Sequence, residues 1–345
     1  MRQIALLIAV LLLLTGFSSS YTTEIRDADI PTTTATEIHP LDSLIFTIPA
    51  NCSDTMRNAA AEFAERVSSL SGGVLTIEVQ QVQNTLNALQ NDSAQLAFVA
   101  GDESDISRLS LLSSPFLFRN HEHFTLTANS EHILGLLGHE LQEQLGVFPL
   151  GAYYQGSRHL MSTFPLGDSS ELQTNLSTGE GLTACLMPGS QLISFFRSMG
   201  IEPIILPDFE ERYNLAYDLK SSITEFTTDE LFLTDWSGSG LFYFHTMHNI
   251  DIQWLLVRSD TCALLTPFQE SVLLEAAAYL YPSLDEHYLL RESMARIRMR
   301  DMGVVLNASP SSLRSRMRRI NSEAIAEDSL ARHIFSWTDT LYSSS

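Results

Sequence analysis

The sequence predicts an exported α/β protein folded as two lobes, with mixed, mostly parallel sheets. Three observations carry this. Strand-like and helix-like patterns alternate along the chain, the signature of βαβ units. About 300 residues follow the N-terminal segment, more than a single compact core usually holds. That segment has a positive start at Arg2, an apolar run over 4–14, then Thr15, Gly16 and Ser18-Ser19-Ser20. Such an order is the n-region, h-region and cleavage site of a secretory signal peptide. The run is too short for a membrane-spanning helix, which needs roughly 20 residues. Cleavage is expected near Ser20.

Residues 21–42 are Thr-rich and unpatterned and read as a tether. Helix follows: Met56, Ala59, Ala60, Phe63, Ala64 and Val67 share one helical face, Ser53 or Asp54 can cap it, and Gly72-Gly73 can end it. The segment 74–79 (VLTIEV) alternates as a strand, and 94–100 (AQLAFVA) suits a strand covered on both faces. A helix over about 131–145 leads into a strand over 147–154. Then come a strand over 181–188, a helix over 190–200, a strand over 203–206, a helix over 208–219 and a strand over 221–227. Segments 241–248 and 252–258 read as two strands. Thr266-Pro267 opens a long helix, Pro282 should kink or restart it, and the pattern resumes to about Met302. A strand over 303–308 and two amphipathic helices complete the chain. The expected lobes are 43–154 with about 241–285, and 155–240 with about 286–330, with 331–345 as a terminal helix or tail.

The chain carries 20 basic and 41 acidic residues, a formal charge of −21. That argues against nucleic acid and anionic membrane surfaces as partners. It does not forbid an anionic solute, because salt screens distant charge over ~10 Å and a local Arg can dominate. Cys52, Cys185 and Cys262 share no short metal spacing; one disulfide or three free thiols are both open. His121 and His123 flank Glu122, and His245 and His248 stand at HxxH spacing near Asp251. On a strand that spacing sends the rings to opposite sides, so no metal site is expected. No GxSxG, P-loop, CxxC or HExxH motif occurs, and nothing argues for catalysis or for a cofactor.

The order of several segments resembles the extracytoplasmic solute-binding proteins of TRAP transporters, the DctP family. They are 63–79 (FAERVSSLSGGVLTIEV), 113–124 (SSPFLFRNHEHF), 156–162 (GSRHLMS), 195–213 (FFRSMGIEPIILPDFEERY) and 244–278. The resemblance covers about 44–325. It implies a two-lobe periplasmic binding protein fold with a long helix spanning both lobes. It further implies a periplasmic, monomeric receptor that closes on a small organic acid-like solute and delivers it to membrane permease subunits. A sensor or docking protein on the same fold, or an exported enzyme, are the alternatives.

Site residues follow from the same resemblance. Arg158 matches a ligand-facing Arg, whose planar fork suits a carboxylate. Phe209 and Tyr213 match aromatics beside the ligand, and Thr228 matches a ligand-touching Asn. Gln191, at a helix start, and Trp236, in a Gly-Ser-rich segment, are further candidates. One departure stands out. The family's central Arg position is Cys185, within 182–188 (LTACLMP). A thiol offers one weak donor and no fixed charge.

Overall fold

The computed structural model describes residues 41–101, 109–165, 182–188, 190, 192–308, 311–324 and 328–344. The expected signal segment, nearly all of the tether, and Gln191 lie outside the described residues.

Strand β1, Ser43–Pro49, lies between β2, Thr76–Val82, and β3, Leu96–Ala100, parallel to both. The sequence reading did not anticipate β1. Between β1 and β2 runs helix α1, Asp54–Ser71. Its start is capped by Ser53, whose Oγ accepts from the Met56 amide at 3.3 Å, and its end by Gly72 at φ 64°, a left-handed turn that suits glycine. Helix α2, Thr85–Gln90, leads to β3. A 3₁₀ turn, Leu109–Ser113, and helices α3, His121–Ala128, and α4, Glu131–Leu145, follow. Between them Phe116, at a left-handed φ of 56°, gives its amide to the His248 carbonyl at 2.7 Å and buries its ring in the second lobe.

Two long strands join the lobes. Strand β4, Val147–Ser162, pairs antiparallel with β8, Phe242–Arg258, along its whole length. Both exceed the sequence expectation, which ended the first at 154 and split the second near 250. Their middles hold buried polar residues rather than an apolar run, and the register slips at Tyr154/Ser157 and Arg158/Leu160. A pattern search therefore reads the middle as a break.

The second lobe adds β5, Thr183–Leu186, α5, Ile193–Ser198, β6, Glu202–Ile205, α6, Phe209–Tyr217, β7, Ile223–Thr227, and α7, Thr228–Leu233. After β8 come α8, Ser259–Leu264, the long helix α9, Pro267–Asp301, strand β9, Val305–Ala308, and helices α10, Ser311–Ala324, and α11, Ser329–Ser344. The strand order is β2-β1-β3-β8-β4-β7-β5-β6, with β9 on β8. Helix α9 opens with a capping box between Thr266 and Gln269 and with Pro267 in its first turn. It runs through Pro282 without restarting. Pro282 and Ala278 both lie on the exposed side, so water can take the carbonyl that the proline leaves unpaired.

One core fills the first lobe. Phe46, Phe63 and Phe98 pack edge to face, and Trp254, Leu273, Leu280 and, from α11, Ile334 close around them. Two cores flank the sheet of the second lobe. One gathers Leu186, Phe195, Phe196, Phe244 and Met317; the other gathers Phe226, Trp236, Leu241, Tyr243 and Met299. Along β8 the core changes from the second lobe to the first between Phe244 and Ile250.

Candidate functional site

The two long strands fix the site because they bring polar side chains to the place where the lobes meet. A cavity of about 250 Å³ opens there. Ser53 and Met56 at the start of α1, Ser113, Ile252 and Tyr288 line it from the first lobe. Met187 after β5, Thr227 at the end of β7 and Asp229 in α7 line it from the second. Gln155, Arg158 and Asp251 come from the crossing strands. A smaller pit of about 60 Å³, walled by Leu134, Phe148, Leu265 and Leu273, sits within the first lobe and is apolar.

Arg158 is buried, and its charge is answered by the chain itself. Its Nε donates to Asp251 Oδ1 at 2.8 Å, and its Nη1 lies 3.9 Å from Glu225 Oε1. Glu225 is fully buried. Its Oε1 lies 3.0 Å from His248 Nε2, and its Oε2 accepts from the Met187 amide at 2.9 Å. Burial alone would push this carboxyl up, but His248, Arg158 and Met187 together hold it down at about 2. Thr246 Oγ1 lies 2.8 Å from His248 Nδ1. Behind this group Glu292 of α9 takes hydrogen bonds from Tyr154, Ser157 and Thr228. Asp229, paired with Arg291 at 2.7 Å, has its carboxyl raised by burial, with Arg291 and His287 opposing.

His245 and His248 diverge as the strand geometry requires. His245 meets Arg296 at 2.8 Å and stacks on His159, whereas His248 meets Glu225. Between them Met247 takes a left-handed φ of 44°. Among the described residues no group of three or more His, Cys, Asp or Glu side chains is placed to hold a metal ion.

No family profile and no curated protein matches the chain. Solved structures do. A TRAP periplasmic solute-binding protein from Ochrobactrum anthropi, with its C-terminus bound in the ligand-binding pocket, superposes with a TM-score of 0.71 at 15% identity, covering 90% of this chain and 98% of that one. One from Desulfovibrio desulfuricans with bound sn-glycerol-3-phosphate gives 0.67 at 16% identity, covering 86% and 96%. A sugar acid-binding protein from Advenella mimigardefordensis in complex with galactonate gives 0.62 at 16% identity, covering 87% and 99%. The chain has the two-lobed fold of TRAP periplasmic solute-binding proteins.

Within that solute-binding-protein fold, the structure separates the residues that the sequence grouped together. Of the candidates, Arg158 lines the cavity. Thr228 is buried and gives its hydroxyl to the Ser157 carbonyl at 3.0 Å and to Glu292, so it braces the crossing strands. Its neighbour Thr227 takes the cavity wall. Trp236 is fully buried with Nε1 donating to the Leu231 carbonyl at 3.3 Å, and it fills the second-lobe core rather than the cleft. Phe209 and Tyr213 pack against that core, where Tyr213 meets Trp236 at 5.1 Å and its hydroxyl reaches the Asp235 carbonyl at 3.1 Å. Their face of α6 is a packing face, because Phe226 and Trp236 rise to meet it. Cys185 is fully buried on β5, and burial pushes its thiol up to about 11 against the opposing pull of Arg212. Met187, just past the end of β5, is the residue of this segment that meets the cavity. Gln191 lies outside the described residues.

Sequence reasoning missed Gln155, Asp229, Glu225, Tyr288 and Ser53 as site residues, and noted Asp251 only beside the HxxH spacing. One signal was present. Glu225 stood inside the strand expected over 221–227, where a buried charge demands a partner; Arg158 lay beyond the strand expected over 147–154.

Proposed function

We propose that the protein is a periplasmic solute receptor that captures a small polar solute between its lobes and passes it to the membrane permease of a TRAP-type transporter. The carrying observation is the interlobe cavity, walled from both lobes and from the crossing strands by serine and tyrosine hydroxyls, an amide, Arg158 and two carboxylates. A wall divided between two lobes couples binding to their closure, which is what a carrier that must be recognised when loaded requires. The solute-binding proteins of the same fold, two of them described with bound sn-glycerol-3-phosphate and galactonate, support the reading.

The test is a solute screen on the exported protein, read by thermal shift and calorimetry. A cognate solute at 100 times its Kd stabilises the folded form by about 2.7 kcal/mol through mass action. Asp229→Trp, which puts an indole in the cavity wall, should abolish that gain, with a modest fall in the unliganded melting temperature because Arg291 loses its partner. The bound solute should be recovered chemically unchanged. A converted product, or stabilisation untouched by Asp229→Trp, would reject the receptor reading.

A further inference from the structure

Three features beside the cavity have the chemistry to hold an anion, and the chain's own carboxylates stand at each. The Arg158 guanidinium is bound to Asp251 at 2.8 Å and has Glu225 behind it at 3.9 Å. The start of α7, capped by Thr227, carries Asp229 in its first turn. The start of α1, capped by Ser53, carries Asp54. Helix starts attract negative charge, and here the protein supplies that charge itself.

The cavity consequently offers acceptors. Asp229 and Asp251 both keep part of their carboxylate surface open to it, and the hydroxyls of Ser53, Ser113 and Tyr288 stand around them. Among the described residues, the cations beside them, Arg158 and Arg291, are each engaged by one of these carboxylates. Among the described residues at the site, Arg158 and Arg291 stand with Asp229, Asp251 and the ionised Glu225, inside a chain of net charge −21. An organic acid reaching the other N–H groups of Arg158 would still lie close to Asp251 and Asp229, and like-charge contacts are strongly unfavourable. An ammonium group meets the opposite surroundings: N–H donors face carboxylate oxygens, and the carbon stem can rest on Met56, Met187 and Ile252.

We propose that the solute is a small alkylammonium compound without net negative charge, held through its N–H groups by Asp251 and Asp229. This rests on the receptor reading and replaces the organic acid that the family resemblance implies.

Calorimetry with the exported protein at low and physiological salt tests it. The probes are putrescine and cadaverine on one side, and succinate, galactonate and glycerol 3-phosphate on the other. Expected is saturable binding of an ammonium probe and none of the acids. Asp229→Asn should weaken it by about tenfold or more. Asp251→Asn should weaken it as much and, by uncovering Arg158, admit an acid. Acid binding by the unaltered protein with no ammonium binding, or ammonium binding indifferent to both substitutions, overturns the proposal and leaves the receptor standing. Binding of neither class counts against both.

Discussion

The first-lobe end and the middle of the β4–β8 ribbon share one hydrogen-bonded ladder and are held by different physics. At the first-lobe end, Ala152, Tyr153, Ile252, Trp254, Leu255 and Leu256 lie in a single apolar core. In the middle, where the ribbon crosses between the lobes, Ser157, Arg158, His159, Thr246, His248 and Asn249 are equally buried and polar. The first end is stabilised by removing apolar surface from water, which needs no particular partner and does not respond to pH. The middle depends on named pairs, Arg158 with Asp251 and His248 with Glu225, and a buried charge without its partner is costly. The difference marks where one continuous strand leaves the apolar core and reaches the interlobe cavity.

The largest expected effect is at the apolar end. Trp254 is fully buried, and Trp254→Ala should destabilise the protein by about 3–5 kcal/mol through lost transfer energy and the cavity left behind. Denaturant titration checks it, and the loss should be the same at pH 5 and pH 8. A loss that changes markedly with pH would mean that the two regions are not separable in this way.

Next in size is the acid response of the polar middle. Burial, with Arg296 adding to it, lowers His245 to about 4, so between pH 6.5 and 4 the unfolded chain binds a proton that the fold refuses. Stability therefore falls as pH falls through that window, by about 1–3 kcal/mol. His159, lowered further by its burial and by His245, acts in the same direction. Glu225 acts lower. Its folded carboxyl sits at about 2, below its ordinary value of 4.5, so its contribution is complete above pH 4.5 and disappears as the pH drops toward 2. His245→Gln should flatten the upper window, since an amide oxygen can still accept from Arg296. Glu225→Gln should flatten the lower one and lower stability at neutral pH by about 2 kcal/mol, the worth of hydrogen bonds to a charged acceptor. His123 and His132 are also lowered by burial, in the first lobe beside α11, so near-ultraviolet signals from Trp254 and Trp236 should be followed separately. Acid unfolding that begins around Trp254 would break the comparison.

The same contrast explains what could be read in advance. The helix over α1 was legible because Met56, Ala59, Ala60, Phe63 and Val67 repeat at helical spacing between a serine cap and a glycine stop, all of which are local signals. Arg158 was legible through the order of segments around it. Its partners were not: Asp251 lies 93 residues away in the chain, and Thr228 finds Glu292 at a separation of 64. Pairing of that range leaves no periodic trace. Nor does an aromatic helix face declare whether it meets a ligand or a core, which is why Phe209, Tyr213 and Trp236 were grouped with Arg158.

Tyr213 gives the smallest and sharpest test of that separation. Its hydroxyl donates to the Asp235 carbonyl near the surface, while its ring packs on Trp236. Tyr213→Phe keeps the ring and removes one exposed hydrogen bond, so the melting temperature should shift by a degree or two, for a change of about 0.5–1 kcal/mol. Solute affinity should not move, because the hydroxyl points to the loop after α7 and the cavity wall is formed by Thr227, Asp229 and the crossing strands. A several-fold loss of affinity in this variant, with stability little changed, would return the α6 aromatics to the site and shift the binding surface from the ribbon into the second lobe.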